Sequence, residues 1–133
     1  MKNLIHGAGR VGACLAEQLV QEKNDITVVD TANESLALLQ ERFDLRTVRG
    51  NATSLEILEN AGAEDADILI AVTANDEANL AACLLAHRRF NITKRIARFR
   101  SSQWVQNPDL LAPESFAVDV AISPEQTVTD YLI

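Results

Sequence analysis

Near the start of the chain, His6-Gly7-Ala8-Gly9-Arg10-Val11-Gly12 sets three glycines at the G-x-G-x-x-G spacing, and its flanks restrict the fold sharply. The brief apolar run Leu4-Ile5 precedes the turn. Residues 10–22 follow it with Val11, Leu15, Leu19 and Val20 on one helical face. Residues 26–30, Ile-Thr-Val-Val-Asp, then read as a buried strand that ends in an acid. Strand, glycine turn, helix and strand make a βαβ unit, whose strands are parallel and joined by a right-handed crossover. In such a unit Gly7 permits the tight turn, Gly9 leaves room for a pyrophosphate, and Gly12 lets the helix approach the sheet. Unpaired N–H groups at the helix start favour the phosphate charge.

The alternation continues to the far end. Asn33 is the expected N-cap of a second helix carrying Leu36, Leu39 and Phe43, and residues 45–48 are the expected third strand. A short helix over 54–60 closes at Gly62, read as a C′ glycine. Residues 67–73 give the strongest strand signal, and Asn75-Asp76 caps a helix running to Phe90. Residues 95–99 read as a fifth strand, 101–111 as weakly helical and interrupted by Pro108, and 116–122 as a sixth strand. Residues 124–133 read as a closing helix whose Val128, Tyr131, Leu132 and Ile133 face a partner subunit or a following domain. These elements predict an α/β fold, a Rossmann-like doubly wound parallel six-stranded sheet in the order 3-2-1-4-5-6 with a C-terminal crossover or dimerisation helix. At 133 residues, the whole span 1–133 reads as one domain.

Ligands of open α/β sheets sit at the carboxyl ends of the strands. The candidate contacts are therefore the turn itself (Gly7, Ala8, Gly9, Arg10, Val11, Gly12), Asp30 and Thr31 after strand two, Asn51 and Ala52 after strand three, and Thr73, Ala74 and Asn75 after strand four. Asp30 suits the ribose hydroxyls of an adenosine, and its charge opposes a 2′-phosphate; Thr31 supplies no arginine to reverse that preference. NAD(H), ATP and ADP are expected rather than NADP. Arg98 and Arg100 share one parity at the end of strand five and are candidates for a phosphate across the crevice or across a subunit boundary. Arg88 and Arg89 fit a helix C-terminal dipole, and Asp76 a helix cap. His6 reads as a partly buried imidazole satisfied by backbone, with cofactor contact as the alternative.

A net charge of −7 and a pI near 4.7 repel polyanions, so nucleic acid is not an expected partner. Cys14 and Cys83 lie in apolar helical patterns and are expected as small reduced core residues; two scattered histidines assemble no metal set. No apolar run approaches a membrane span and the start has no signal-peptide h-region, which points to a cytosolic domain.

The segments IHGAGRVGACLAEQL, NDITVVD, VRGNATSLEILENAGAEDADILIAVTANDEANLAACLLA, RIARFRS and ISPEQTVTDYLI together resemble the N-terminal nucleotide-binding half of the TrkA-type RCK (KTN) regulators of potassium transport, over essentially the whole chain. The resemblance implies a domain that binds NAD(H) or adenine nucleotides, forms homo-oligomers in which dimers assemble into a cytosolic ring, and gates a potassium-transporting integral membrane subunit. It assigns ligand contact to the glycine turn with Arg10, Asp30, Asn51-Ala52, Thr73 and the arginines after strand five. Two positions depart from the family pattern: Asn51 stands where Asp is frequent, and His6 where an apolar or small residue is usual. Members of the family continue into a second ligand-binding domain, so the chain is expected as part of a longer protein.

A dehydrogenase needs a proton donor or acceptor beside the nicotinamide and a substrate pocket, normally from a second domain. Neither a histidine nor a Lys/Tyr pair is placed for that task, and residues 123–133 leave little room for a pocket. A regulatory binding module, not an enzyme, is the expected function. The cofactor-binding domain of an NAD-dependent oxidoreductase is the alternative, and a methyltransferase stands further off because the turn suits a pyrophosphate better than a sulfonium.

Overall fold

In a computed structural model, which describes residues 1–122, the strands β1 (Lys2–His6), β2 (Asp25–Asp30), β3 (Arg46–Arg49), β4 (Ile68–Ala71), β5 (Lys94–Arg98) and β6 (Val120–Ile122) pair in parallel in the order β3-β2-β1-β4-β5-β6. Leu4 is in register with Thr27 on one side and with Leu69 on the other, so β1 lies at the centre and is buried on both faces. The chain leaves β1 toward β2 and β3, then returns to place β4 on the opposite side. That reversal opens a crevice above the carboxyl ends of β1 and β4.

Alternating parity divides the core in two. Ile5, Val28, Ile70 and Ile96 meet Leu15, Ala16 and Leu19 of α1 (Arg10–Gln21) and Leu36 and Leu39 of α2 (Asn33–Arg42). Leu4, Val29, Leu69 and Ala97 meet Leu58 of α3 (Leu55–Asn60) and Leu80, Cys83 and Ala86 of α4 (Asp76–Phe90) on the other face. The buried positions of α1, Gly12, Leu15, Ala16 and Leu19, follow the i, i+3, i+4, i+7 stripe of a helix that covers a sheet. The short α5 (Gln103–Gln106) ends before Pro108, which opens a 3₁₀ turn to Leu111.

Four expectations change. The sixth strand was expected over 116–122 and spans Val120–Ile122, because Ala117 takes a left-handed φ of 59° while Ala117 and Val118 N–H bond back to Ala112 and Leu111. Helix α2 has Ala32, not Asn33, as its N-cap, and the Ala32 N–H is bound by the Asp30 carboxylate instead. Cys14 is exposed, because it lies off the buried stripe of α1; Cys83 is buried, and burial pushes its thiol up to about 12. Asp76 does not cap α4: Asn75 does, its Oδ1 accepting the Ala78 N–H at 2.8 Å. Gly62, with φ 83°, ends α3 in the left-handed conformation as expected. The expected closing helix over 124–133 lies outside the described residues.

Candidate functional site

The glycine turn joins β1 to α1 at the mouth of the crevice. Gly7 adopts φ 124°, which a side chain would strain, and its N–H bonds to Val29 O at 2.9 Å. A Cβ on Gly12 would collide with the Gly7 carbonyl, so the helix can start this close to the strand with glycine alone. Around Gly9 the situation is reversed: a Cβ there would meet nothing within 4 Å, and the residue is exposed. No side chain caps the N-terminus of α1, whose first-turn N–H groups therefore face this open space. Turn and helix start form a cradle of the kind a pyrophosphate fits.

Asp30 ends β2 beside the turn. Its Oδ2 accepts the Ala8 N–H at 2.6 Å and its Oδ1 the Ala32 N–H at 2.7 Å. Each carboxylate oxygen retains a second acceptor site. The acid thus ties the glycine turn to the start of α2 and still presents lone pairs to the crevice.

A cavity of about 190 Å³ adjoins it, lined by His6, Asp30, Thr31, Asn51, Thr73, Asn75 and Ala78. Five of the expected contacts, Asp30, Thr31, Asn51, Thr73 and Asn75, are brought together there. Ala52 is fully buried in the core and Val11 packs against the other core face, so neither presents its side chain to the crevice. Ala74 and Arg10 are exposed beside the cavity lining rather than in it. Arg98 and Arg100 also lie outside that lining: the Arg98 carbonyl accepts from Asn79 at 2.7 Å, and the Arg100 N–H is held by Asp76 Oδ1 at 2.8 Å. Asp76 Oδ2 takes the Ser101 N–H as well, so this acid moors the loop after β5.

Asn79 was not singled out from the sequence, yet it organises the β4 side. Wholly buried on α4, its Oδ1 accepts from the Thr73 N–H at 3.1 Å and from Thr73 Oγ1 at 2.6 Å, while its Nδ2 donates to the carbonyls of Thr73 and Arg98. The signal was available: Asn79 shares its stripe with Ala82, Cys83 and Ala86, and a polar residue on a buried stripe needs partners.

His6 is 4% exposed at the end of β1, and its Nε2 accepts the Ala52 N–H at 3.3 Å. Burial lowers its pKa to about 4, against a weaker upward pull from Asp30. The ring is thus a neutral acceptor, with backbone contact as expected. Among the described residues no three His, Cys, Asp or Glu side chains gather to hold a metal ion, and no helix is long and apolar enough to cross a membrane.

Residues 3–124 match the TrkA-N domain family. The chain is 50% identical over 132 residues to the Trk system potassium uptake protein TrkA of Halomonas elongata, covering 99% of this chain and 29% of that protein. It thus spans less than a third of that relative's length. The crystal structure of the TrkA-N domain of the inner membrane protein YbaL from Escherichia coli superposes with a TM-score of 0.82 at 25% identity, covering 98% of this chain and 93% of that one. The GsuK channel bound to NAD shares the fold, with a TM-score of 0.75 at 20% identity over 91% of this chain and 21% of that one. GsuK has also been solved bound to ADP.

Proposed function

The chain belongs to the TrkA-N domain family, and from that premise we propose that it is a regulatory module that binds NAD(H) or ADP and ATP in the crevice and gates a potassium-transporting membrane subunit. The observation that carries the nucleotide reading is the juxtaposition of Asp30 with the uncapped start of α1 across an empty space at Gly9. A pyrophosphate sits on the α1 N–H groups beside exposed Arg10, a ribose on Asp30, and a base along Thr31 and Asn51. The cavity is smaller than the roughly 300–1,000 Å³ of whole-ligand pockets. It takes the nucleoside and leaves the phosphates on the open turn. The negative charge of Asp30 disfavours a 2′-phosphate. Arg98 and Arg100 lie outside the cavity lining, and on this reading they would contact a phosphate across a subunit boundary.

The gating role draws on the potassium-uptake names of the relatives and on the ligands in GsuK. The domain works from the cytosolic face, as a homo-oligomer whose dimers form a ring. It is read as a sensor rather than an enzyme, because His6 is buried with Nε2 already accepting a backbone N–H and is not free to move a substrate proton. Regulation requires that the nucleotide bind two ring conformations with different affinity.

Calorimetric titration with NADH, NAD, ATP, ADP and NADPH tests the reading. The first four are expected to bind and NADPH to fail, and Asp30→Ala should weaken binding by roughly 1.5–3 kcal/mol, the value of a charged hydrogen bond. Because that substitution also frees the Ala8 N–H, its folding is checked alongside. Failure of all five ligands on the wild-type chain overturns the reading.

A further inference from the structure

The rim formed by residues 50–54, which contributes Asn51 to the cavity lining, is held by four of its backbone N–H groups. Gly50 N–H bonds to Asp30 O at 2.9 Å, Thr53 N–H to Asn51 Oδ1 at 3.1 Å and Ser54 N–H to Asn51 O at 3.0 Å. These bonds stay within the rim or reach β2. Ala52 N–H instead crosses to β1, where it meets His6 Nε2, 46 residues away in sequence. Ala52 is fully buried, so without the imidazole its N–H has no solvent to turn to.

An imidazole accepts at Nε2 only with its proton on Nδ1, and that Nδ1 is buried without a partner. Burying an unpartnered donor is unfavourable, and an apolar residue at position 6 would avoid it. What the histidine contributes against that cost is its acceptor toward Ala52. Among the residues lining the cavity, Asp30 is the one charged side chain that faces it; Asn51, Thr73 and Asn75 from the neighbouring strand ends are neutral.

We propose that His6 is a specificity-determining positioning residue: by accepting the Ala52 N–H it fixes the Gly50-Asn51-Ala52 rim against β1 and thereby sets the fit of a purine base beside Asn51. The specificity half rests on the nucleotide reading above; the positioning half concerns the ligand-free chain. With the rim fixed, Asn51 presents one arrangement of its polar groups to the base edge, and adenine and guanine, which differ at that edge, are distinguished. With the rim loose, the distinction fades.

The test uses the 133-residue chain as wild type, His6→Leu and His6→Gln, the last restoring an acceptor of similar reach. Nitrogen-15 NMR of the ligand-free proteins is expected to show His6 protonated on Nδ1 alone, and an Ala52 amide that exchanges faster in His6→Leu than in wild type or His6→Gln. Calorimetry with ADP and GDP is expected to show a wild-type preference for ADP that shrinks about fivefold in His6→Leu and returns to within about twofold in His6→Gln. A proton on Nε2, or an Ala52 amide unchanged by His6→Leu, overturns the positioning role. Equal ADP and GDP affinities in wild type, or an unchanged ratio in His6→Leu, overturn the specificity role. Binding of neither nucleotide to wild type removes the nucleotide reading and the specificity role with it, while the NMR result still decides whether His6 holds the rim.

Discussion

Acidification from about pH 7 to 5 is expected to destabilise the wild-type chain by about 2 kcal/mol more than it destabilises His6→Leu. The reasoning starts from the burial of His6, which lowers its pKa from an ordinary 6.5 to about 4 in the folded chain. Between those values the unfolded chain takes up a proton that the folded chain refuses, so stability rises with pH there and falls on acidification. Below about 4 both states are protonated and the loss stops growing, at roughly 3 kcal/mol in full. Most of it is developed by pH 5, and taking the difference in stability between wild type and variant cancels the share of the groups common to both proteins. Urea denaturation of both proteins at pH 7, 6 and 5 measures it, with His6→Gln as a second non-titrating control. A wild-type minus variant difference that stays constant with pH would show that His6 is not held neutral. A wild-type stability that rises relative to the variant on acidification would show the attraction of Asp30 outweighing burial, with an imidazolium paired to that acid in the folded state.

The glycine turn separates folding from binding. Gly12→Ala drives a Cβ into the Gly7 carbonyl and should cost about 3 kcal/mol or more, seen as a large drop in Tm. Gly9→Ala should leave stability within about 1 kcal/mol, because φ −75° suits alanine and nothing lies within 4 Å, while weakening nucleotide binding about tenfold or more in calorimetry. Asn79→Ala strips partners from the Thr73 N–H and the Arg98 carbonyl and should cost about 2–4 kcal/mol by chemical denaturation. Arg95 is 4% exposed and paired with Asp119 at 3.3 Å; Asp119→Ala should cost about 2 kcal/mol in the same assay, less than a fully buried pair because the carbonyl of Ala117 still accepts from the guanidinium.

Hydrophobic period carried the fold. Strands such as Ile68–Ala71 are apolar throughout because both faces are covered, and α1 shows its stripe in the spacing of Gly12, Leu15, Ala16 and Leu19. Where structure and local signal differ, a tertiary bond overrules the local signal. Phe116-Ala117-Val118 is an apolar run that looks like strand, but hydrogen bonds to residues 111 and 112 curl it, and Phe116 packs edge-on against Trp104 instead. Asn33 is a better capping residue than Ala32 by type, but the Asp30 carboxylate had already claimed the Ala32 amide. Cys14 could have been excluded from the core by its own spacing, one residue ahead of the stripe that contains Leu15. The site divides the same way. Gly7, Gly12 and Asp30 act within one βαβ unit, where spacing encodes geometry. The bonds from Ala52 to His6 and from Asn79 to Arg98 join segments that only the strand order brings side by side.

Asp30 shows where that difference would matter on the regulatory reading. Its expected partner is a ligand, but its two oxygens also hold the glycine turn through Ala8 and the start of α2 through Ala32. On the nucleotide reading, a ribose hydroxyl donating to either oxygen shares it with one of those amides, and a shared acceptor binds each donor less strongly. Occupancy of the site is thereby felt at the turn below α1 and at the start of α2, two elements that cover the same face of the sheet. A residue that merely bound ribose could not pass on whether the site is filled. Asp30 is bonded to the backbone on both sides, so on the nucleotide reading ligand and fold would draw on one carboxylate, and the differential affinity that regulation requires would have a physical place to arise.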